Sequence, residues 1–386
     1  MNPVQAWIES RREELTALLR ELVECESPSD DAAAVNRFQE LLAARLAGFG
    51  RASFHASARG GRGRNLLFEF DLPGPRRKRA GRILAVGHAD TVWRLGTLKE
   101  MPFRRAEGRL WGPGVLDMKG GLALFIYALK ALLALDLPIE RQVALWVVSD
   151  EEVGSLGSRA RTEALAQKAR AVLVLEPSTG LEGKLTTARK GGGMYRLEVR
   201  GRAAHSGVDF GAGASAIVEM AKQIGVLAGF SDDKKGITVN PGVISGGTRS
   251  NVVAAEAHAE IDVRVARMGD AARIERRLRS LKPFDPRCTL DVSGGLNRPP
   301  MERTAQGAAL YRAARGIARR ELDMDLEESA SGGGSDGNFT AALGVPTLDG
   351  IGAIGEGIHA AHESMIEERI ASRAALLALL VRHLGQ

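Results

Sequence analysis

Between residues 3 and 24 the apolar positions Val4, Trp7, Ile8, Leu15, Leu18, Leu19 and Leu22 recur at helical spacing among charged residues. Ser27-Pro28-Ser29-Asp30 breaks that pattern, and a second amphipathic helix is expected over 31–48. Stretches 65–70 and 83–87 have strand character. Residues 120–135 are apolar on nearly every side, so they predict a buried helix. Runs 143–149 and 171–175 are continuously apolar and of strand length. Such runs, alternating with helices, imply an α/β sheet covered on both faces.

The periodicity then changes. Residues 194–200 alternate Tyr195, Leu197 and Val199 against Arg196, Glu198 and Arg200, and 255–265 alternate small or apolar residues against Glu256, His258, Glu260, Asp262 and Arg264. Period two means strands with one dry and one wet face. A helix is expected between them over 212–228. Helical and α/β character returns through 311–322, the Gly332-Gly333-Gly334 turn and a final helix over 367–384. The reading is two domains: 1–189 with 301–386, and an α+β insertion over 190–300.

Composition narrows the class. A chain of 386 residues suits two domains. The net charge of +6 and the run Arg76-Arg77-Lys78-Arg79 raise the question of nucleic acid. No aromatic residues interleave with the run, so it reads as a solvated loop, and no nucleic-acid partner is expected. Cys25 and Cys288 lack metal-site spacing. No leader pattern and no apolar stretch long enough to span a bilayer is evident, so the expected location is cytoplasmic, without a membrane partner.

The chemistry gathers where apolar strands end, which is where open α/β sheets place their sites. His88 and Asp90 follow one strand; a His with a carboxylate two residues on suits a metal ligand whose tautomer the carboxylate fixes. Asp117 sits in the Gly- and Pro-rich segment before the buried helix, where alone it would read as a helix cap. Asp150, Glu151 and Glu152 end a second apolar strand, and three adjacent recessed acids require a compensating cation or proton. Glu176 ends a third, and His359 and His362 lie in a late Gly-rich segment. A pair of co-catalytic metal ions needs about five or six such ligands, one of them bridging.

GHADTV, GPGVLDMKGG, SDEEVGSLGSR, LEP, GRAAHSG, SNVVAAEAHAEIDVRV, SGGGSDGNF and GIHAAHES occur in this order over roughly residues 60–375. As a set they resemble the di-zinc exopeptidases: glutamate carboxypeptidase, aminoacylase, acetylornithine deacetylase and succinyl-diaminopimelate desuccinylase, with the first branch nearest. The resemblance implies a mixed-sheet catalytic domain and a ferredoxin-like inserted lid or dimerisation domain. It implies two Zn2+ per chain, replaceable by Co2+ or Mn2+. His88 and Glu176 would hold one ion, Glu152 and His359 the other, and Asp117 both, with a cis Asp117–Met118 peptide. Asp90 would orient His88, and Glu151 would be the general acid/base. A three-residue shift of register would exchange His359 for His362.

In the inserted domain, the resemblance makes His205 an oxyanion-stabilising residue acting in a partner subunit's site, with capping of its own loop as the alternative. Asn251 would bind substrate and Arg264 would grip a substrate carboxylate, with pairing to Asp262 as the alternative. Gly333 and Gly334 would admit substrate close to the backbone. His55, His258 and His383 have no motif context. The expected activity is release of a C-terminal amino acid from a small peptide by a homodimer. An N-acyl amino acid deacylase is the alternative, and a non-catalytic binding protein the remote one.

Overall fold

The computed structural model describes all 386 residues. In chain order the main helices are α1 (Arg12–Glu24), α2 (Ala32–Arg45), α3 (Gly121–Ala134), α4 (Arg159–Ala166), α5 (Ala216–Ala228), α6 (Met268–Arg279), α7 (Ala305–Leu322) and α8 (Ile370–Gly385). The main strands are β1 (Gly50–His55), β2 (Asn65–Phe70), β3 (Arg79–His88), β4 (Arg141–Val148), β5 (Ala169–Val174), β6 (Gly191–Arg200), β7 (Thr238–Gly246), β8 (Glu256–Val265), β9 (Thr289–Arg298) and β10 (Thr347–Leu348). Two compact units result: Met1–Ala188 with Arg303–Ser331 and Ser335–Gln386, and Arg189–Glu302 with Gly332–Gly334.

The first unit is built on a mixed sheet of order β1-β2-β4-β3-β5-β10. β1, β2 and β4 pair antiparallel, whereas β4, β3, β5 and β10 run parallel. Alternation along each inner strand divides the core. Ile83, Ala85, Val143, Leu145, Val147, Ala171 and Leu173 face the cluster formed with α1, α2, α3, α7 and α8. Leu84, Val86, Ala144, Trp146, Val148, Val172 and Val174 face a second cluster with Leu165 and Ala166 of α4. Strands dry on both faces read as unbroken apolar runs. α3 is wrapped by protein, which explains its nearly uniform apolarity.

The second unit has the chain order β6-α5-β7-β8-α6-β9 and the fully antiparallel sheet order β7-β8-β6-β9, a ferredoxin-like arrangement. One face carries Tyr195, Leu197, Val199, Ala257, Ala259, Ile261 and Val263 against α5 and α6. β7 forms an open edge of this sheet.

Two expectations are corrected. Residues 3–24 form two helices, Pro3–Glu9 and Arg12–Glu24, because Arg11 leaves the helical path at φ -121°, ψ 21°, after Ser10 has closed the first helix with its N–H on the Ala6 carbonyl. Arg79, read as loop, begins β3 and bonds to the carbonyl of Glu140 through its backbone.

Candidate metal centre

Three adjacent parallel strands build the base of the site. In register, His88 lies opposite Val148 on β4, and Val86 opposite Val174 on β5. The carboxyl ends of β3, β4 and β5 therefore come level, and they carry His88, then Glu151 and Glu152, then Glu176. Asp117 arrives from the segment Val115–Gly120 ahead of α3, and its peptide bond to Met118 is cis. The glycine pair that follows permits the approach: a Cβ on Gly121 would lie 2.0 Å from the Leu175 carbonyl oxygen, beside Glu176. His359 stands between short strands Gly355–Glu356 and Ser364–Ile366, with φ +61°.

The side chains converge. His88 Nε2 lies 3.0 Å from Asp117 Oδ1 and 3.7 Å from Glu176 Oε1. His359 Nε2 lies 3.4 Å from Asp117 Oδ2 and 3.1 Å from Glu152 Oε2. The two oxygens of Asp117 thus face different imidazoles, each with another carboxylate beside it. Donor atoms of His88, Glu151 and Glu176 fall within 4.8 Å of one another, as do those of His88, Asp117 and Glu152. His359 and His362 are both exposed and outside these two groupings, but the Nε2 of His359 meets Asp117 and Glu152.

The donor set fits divalent cations. His88 Nδ1 donates to the Asp90 carbonyl at 2.8 Å, which leaves the Nε2 lone pair directed at the cluster. Burial opposes a charged His88, yet the facing Asp117, Glu176 and Asp90 carboxylates outweigh it and hold its pKa well above the usual value. Hydrogen bonds to Asp117 and Glu152 raise His359 to about 10. Burial would raise Asp117, but His359 and His88 hold it well below the carboxylate range. Protons on the imidazoles thus stand where cations would satisfy the same carboxylates.

Asp90 plays a wider part than its expected one. Its carboxylate is 3.7 Å from His88 Nδ1, whose hydrogen bond goes to the Asp90 carbonyl instead. The carboxylate accepts from the backbone N–H of Glu151 at 3.1 Å and of Glu152 at 3.2 Å, and from Ser29 Oγ at 2.8 Å. It therefore links the end of β3 to the acidic turn after β4. Burial lifts its pKa to about 6 against the pull of His88 and Ser29. Ser29 is held there because residues 27–29 pair with 89–91: Ser27 Oγ donates to the Ala89 carbonyl, and the Ser29 N–H donates to that of Thr91. In sequence, Ser29 had only the look of a helix breaker.

The second-unit residues are placed differently. His205 is exposed, and its Nδ1 accepts from the N–H of Gly207 at 3.2 Å and Val208 at 3.1 Å, the loop cap weighed above as the alternative. That cap leaves Nε2 carrying the proton, available as a donor. A backbone bridge between His205 and Val252 brings Asn251 alongside. Arg264 forms a two-pronged pair with Asp262, with Nε–Oδ1 and Nη2–Oδ2 both 2.9 Å, so the pairing alternative is realised in this structure. Gly334 belongs to the short segment Gly332–Gly334, where Arg189 donates to the Gly333 carbonyl at 3.3 Å.

The model of Peptidase family M20/M25/M40 matches residues 84–383. Carboxypeptidase G2 of Pseudomonas sp. (strain RS-16) is 28% identical over 371 residues, 95% of this chain and 88% of its own. A succinyl-diaminopimelate desuccinylase of Thioalkalivibrio sulfidiphilus is 28% identical over 340 residues, 83% of this chain and 86% of its own. Among solved structures, the Bacillus subtilis YXEP protein, described as a dinuclear metal binding peptidase, shares the fold. Its TM-score is 0.71 at 14% identity, over 98% of this chain and 99% of that one.

Proposed function

The chain belongs to peptidase family M20/M25/M40, enzymes that hydrolyse amide bonds with bound metal, and on that premise we propose that it is a di-zinc exopeptidase releasing a C-terminal amino acid. The observation that carries the proposal is Asp117, whose two oxygens face two imidazoles, each with its own carboxylate neighbour. His88 and Glu176 would hold one ion, Glu152 and His359 the other, and Asp117 would be shared. Imidazole nitrogen and carboxylate oxygen suit Zn2+, with Co2+ or Mn2+ as substitutes. Two such ions, when bound, act as Lewis acids toward the scissile carbonyl and acidify the attacking water.

The chain's own groups supply the rest. Glu151 sits beside the ligand Glu152 on one turn, and Asp90 fixes the backbone of both. Glu151, whose carboxylate lies within 4.8 Å of the His88 and Glu176 donor atoms, would take the water's proton as the oxygen attacks the carbonyl carbon. It then delivers that proton to the leaving nitrogen as the C–N bond breaks. The Nε2–H of His205 is suited to the developing oxyanion. Arg264 would exchange Asp262 for a substrate carboxylate, with Asn251 and the backbone at Gly334 as further contacts.

His205 would serve the active site of a partner subunit in a homodimer formed through the second unit. Support comes from the open β7 edge and the apolar surface beside it, where Val218, Val243 and Ile244 are each more than half exposed. No helix is long and apolar enough to cross a membrane. We place the enzyme in the cytoplasm.

Carboxypeptidase action is favoured by the likeness to carboxypeptidase G2 along 95% of the chain. The desuccinylase likeness favours the second reading, an N-acyl amino acid deacylase of the same chemistry. Hydrolysis of a panel of dipeptides, N-acyl amino acids and their α-amides separates them. The proposal expects fast release of the C-terminal residue from free acids, poor turnover of amides, and a raised KM on free acids for Arg264→Ala. Equal rates on acids and amides would refute the carboxylate anchor. Turnover confined to N-acyl amino acids would establish the deacylase instead.

A further inference from the structure

One buried carboxylate has no part in the chemistry above. Glu363 is 1% exposed and accepts four hydrogen bonds. Its Oε1 takes the N–H of Leu116 at 2.9 Å and of Asp117 at 3.1 Å. Its Oε2 takes the N–H of Gly114 at 2.9 Å and the indole N–H of Trp93 at 2.9 Å. Three of the four donors belong to the segment that presents Asp117. They are backbone groups of an irregular turn, which no ladder or helix would otherwise satisfy.

Glu363 itself is anchored on the other side of the site. It lies four residues after His359, joined to it by consecutive turns: Ala360 N–H to the Gly357 carbonyl at 2.8 Å, and Glu363 N–H to the Ala360 carbonyl at 2.9 Å. The next residue, Ser364, pairs with Trp111, just ahead of the Asp117 segment. A single side chain thus connects the loop that carries His359 to the loop that carries the shared carboxylate. These are the two contributions that reach the second ion from outside the β3–β4–β5 strand ends.

We propose that Glu363 is a positioning residue that locks the Asp117 and His359 loops together and thereby sets the affinity for the ion held by Glu152, His359 and Asp117. The inference rests on the two-ion reading above. Outer groups that orient ligands typically change metal affinity by roughly 10–100-fold when removed. The ion between His88 and Glu176 shares only Asp117 with the segment that Glu363 holds, and its other two ligands rest on strand ends that Glu363 does not touch, so its affinity should change less.

Glu363→Gln tests this at nearly constant shape. Whichever way the amide turns, its NH2 faces two N–H donors, Leu116 and Asp117 or Gly114 and Trp93, and both lose their acceptor. The metal-free protein is titrated with cobalt(II), followed by calorimetry and by the visible spectrum of the bound ion. Wild type should take up two ions. Glu363→Gln should keep the first and bind the second roughly 10–100-fold more weakly. kcat at limiting metal should fall, recover in excess metal, and leave KM unchanged, a pattern that general loosening of the fold would not give.

Should Glu363→Gln fail to fold, Trp93→Phe removes one donor to the same carboxylate and should weaken the second ion about threefold, the worth of one hydrogen bond. Two ions bound with wild-type affinity by the folded variant under test overturn the inference while leaving the two-ion reading intact. Wild type that binds fewer than two ions removes the reading itself, and the inference with it.

Discussion

Replacing Asp90 with asparagine isolates what its carboxylate contributes. In the wild type, Oδ1 accepts from the Glu151 N–H, and Oδ2 from the Glu152 N–H and Ser29 Oγ. The hydroxyl can turn to accept from an amide, because Ser29 Oγ also lies 3.3 Å from the Thr91 carbonyl. The backbone N–H groups cannot turn. Wherever the new NH2 sits, one of them loses its acceptor, at a cost of about 1–3 kcal/mol, and the remaining bonds lose the gain of a charged acceptor. Together the expected destabilisation of the metal-free protein is about 2–4 kcal/mol. All four tryptophans, Trp7, Trp93, Trp111 and Trp146, lie in the first unit, so their fluorescence in a urea titration reports that unit's transition. Cobalt(II) affinity should fall roughly 10–100-fold, since the turn carrying Glu152 is no longer fixed. A shift below about 0.5 kcal/mol with unchanged metal affinity would show that Asp90 does not organise the acidic turn.

Other consequences follow from single contacts. Arg373 is fully buried in α8 and donates to the carbonyls of Gly352 at 3.1 Å, Gly183 at 3.1 Å and Gly350 at 2.8 Å. Arg373→Ala should cost roughly 3–5 kcal/mol in the same urea assay, and a loss under 1 kcal/mol would contradict the three bonds. Burial, and secondarily Arg161, hold the His55 pKa below its ordinary 6.5. The unfolded chain then takes up that proton first, so His55 by itself removes stability as pH falls through about 6.5, and the stability of wild type relative to His55→Gln should drop there; parallel pH curves for the two would contradict this. For the dimer, His205→Ala and Glu151→Gln should each be nearly inactive alone. After subunit exchange, activity should recover to about one quarter of wild type, because half the dimers then carry one complete site. No recovery despite verified exchange would leave His205 with its loop-capping role.

The sheet was legible because its strands are dry on both faces, so 143–149 and 171–175 stand out as unbroken apolar runs. β1 and β9 were not, since their exposed positions break any simple pattern: β9 reads Thr289–Arg298 with two glycines inside it. α6 is charged over most of its surface, and only Ala271, Ile274 and Leu278 are buried, too thin an apolar stripe to mark a helix in the sequence. In the site, the convergent residues were those that end apolar strands or stand in glycine-rich turns. Ser29, Glu363 and Arg373 were missed for a common reason. Each works by bonding to backbone groups or carboxylates far away in the chain, and nothing local in sequence marks such a partner. Asp262 as the partner of Arg264 was visible, because strand residues two apart share a face.

The central claim is that this chain holds two metal ions and uses Glu151, not Glu152, as the base. Its most direct test is metal content and turnover measured together on Glu151→Gln and Glu152→Gln. The account predicts close to two ions per chain in wild type. Glu151→Gln should keep both and lose nearly all turnover, whereas Glu152→Gln should lose one ion. If Glu151→Gln sheds metal while Glu152→Gln keeps two ions, the assignment of the pair is reversed. Wild-type protein that turns over at full rate after exhaustive chelation contradicts the account as a whole.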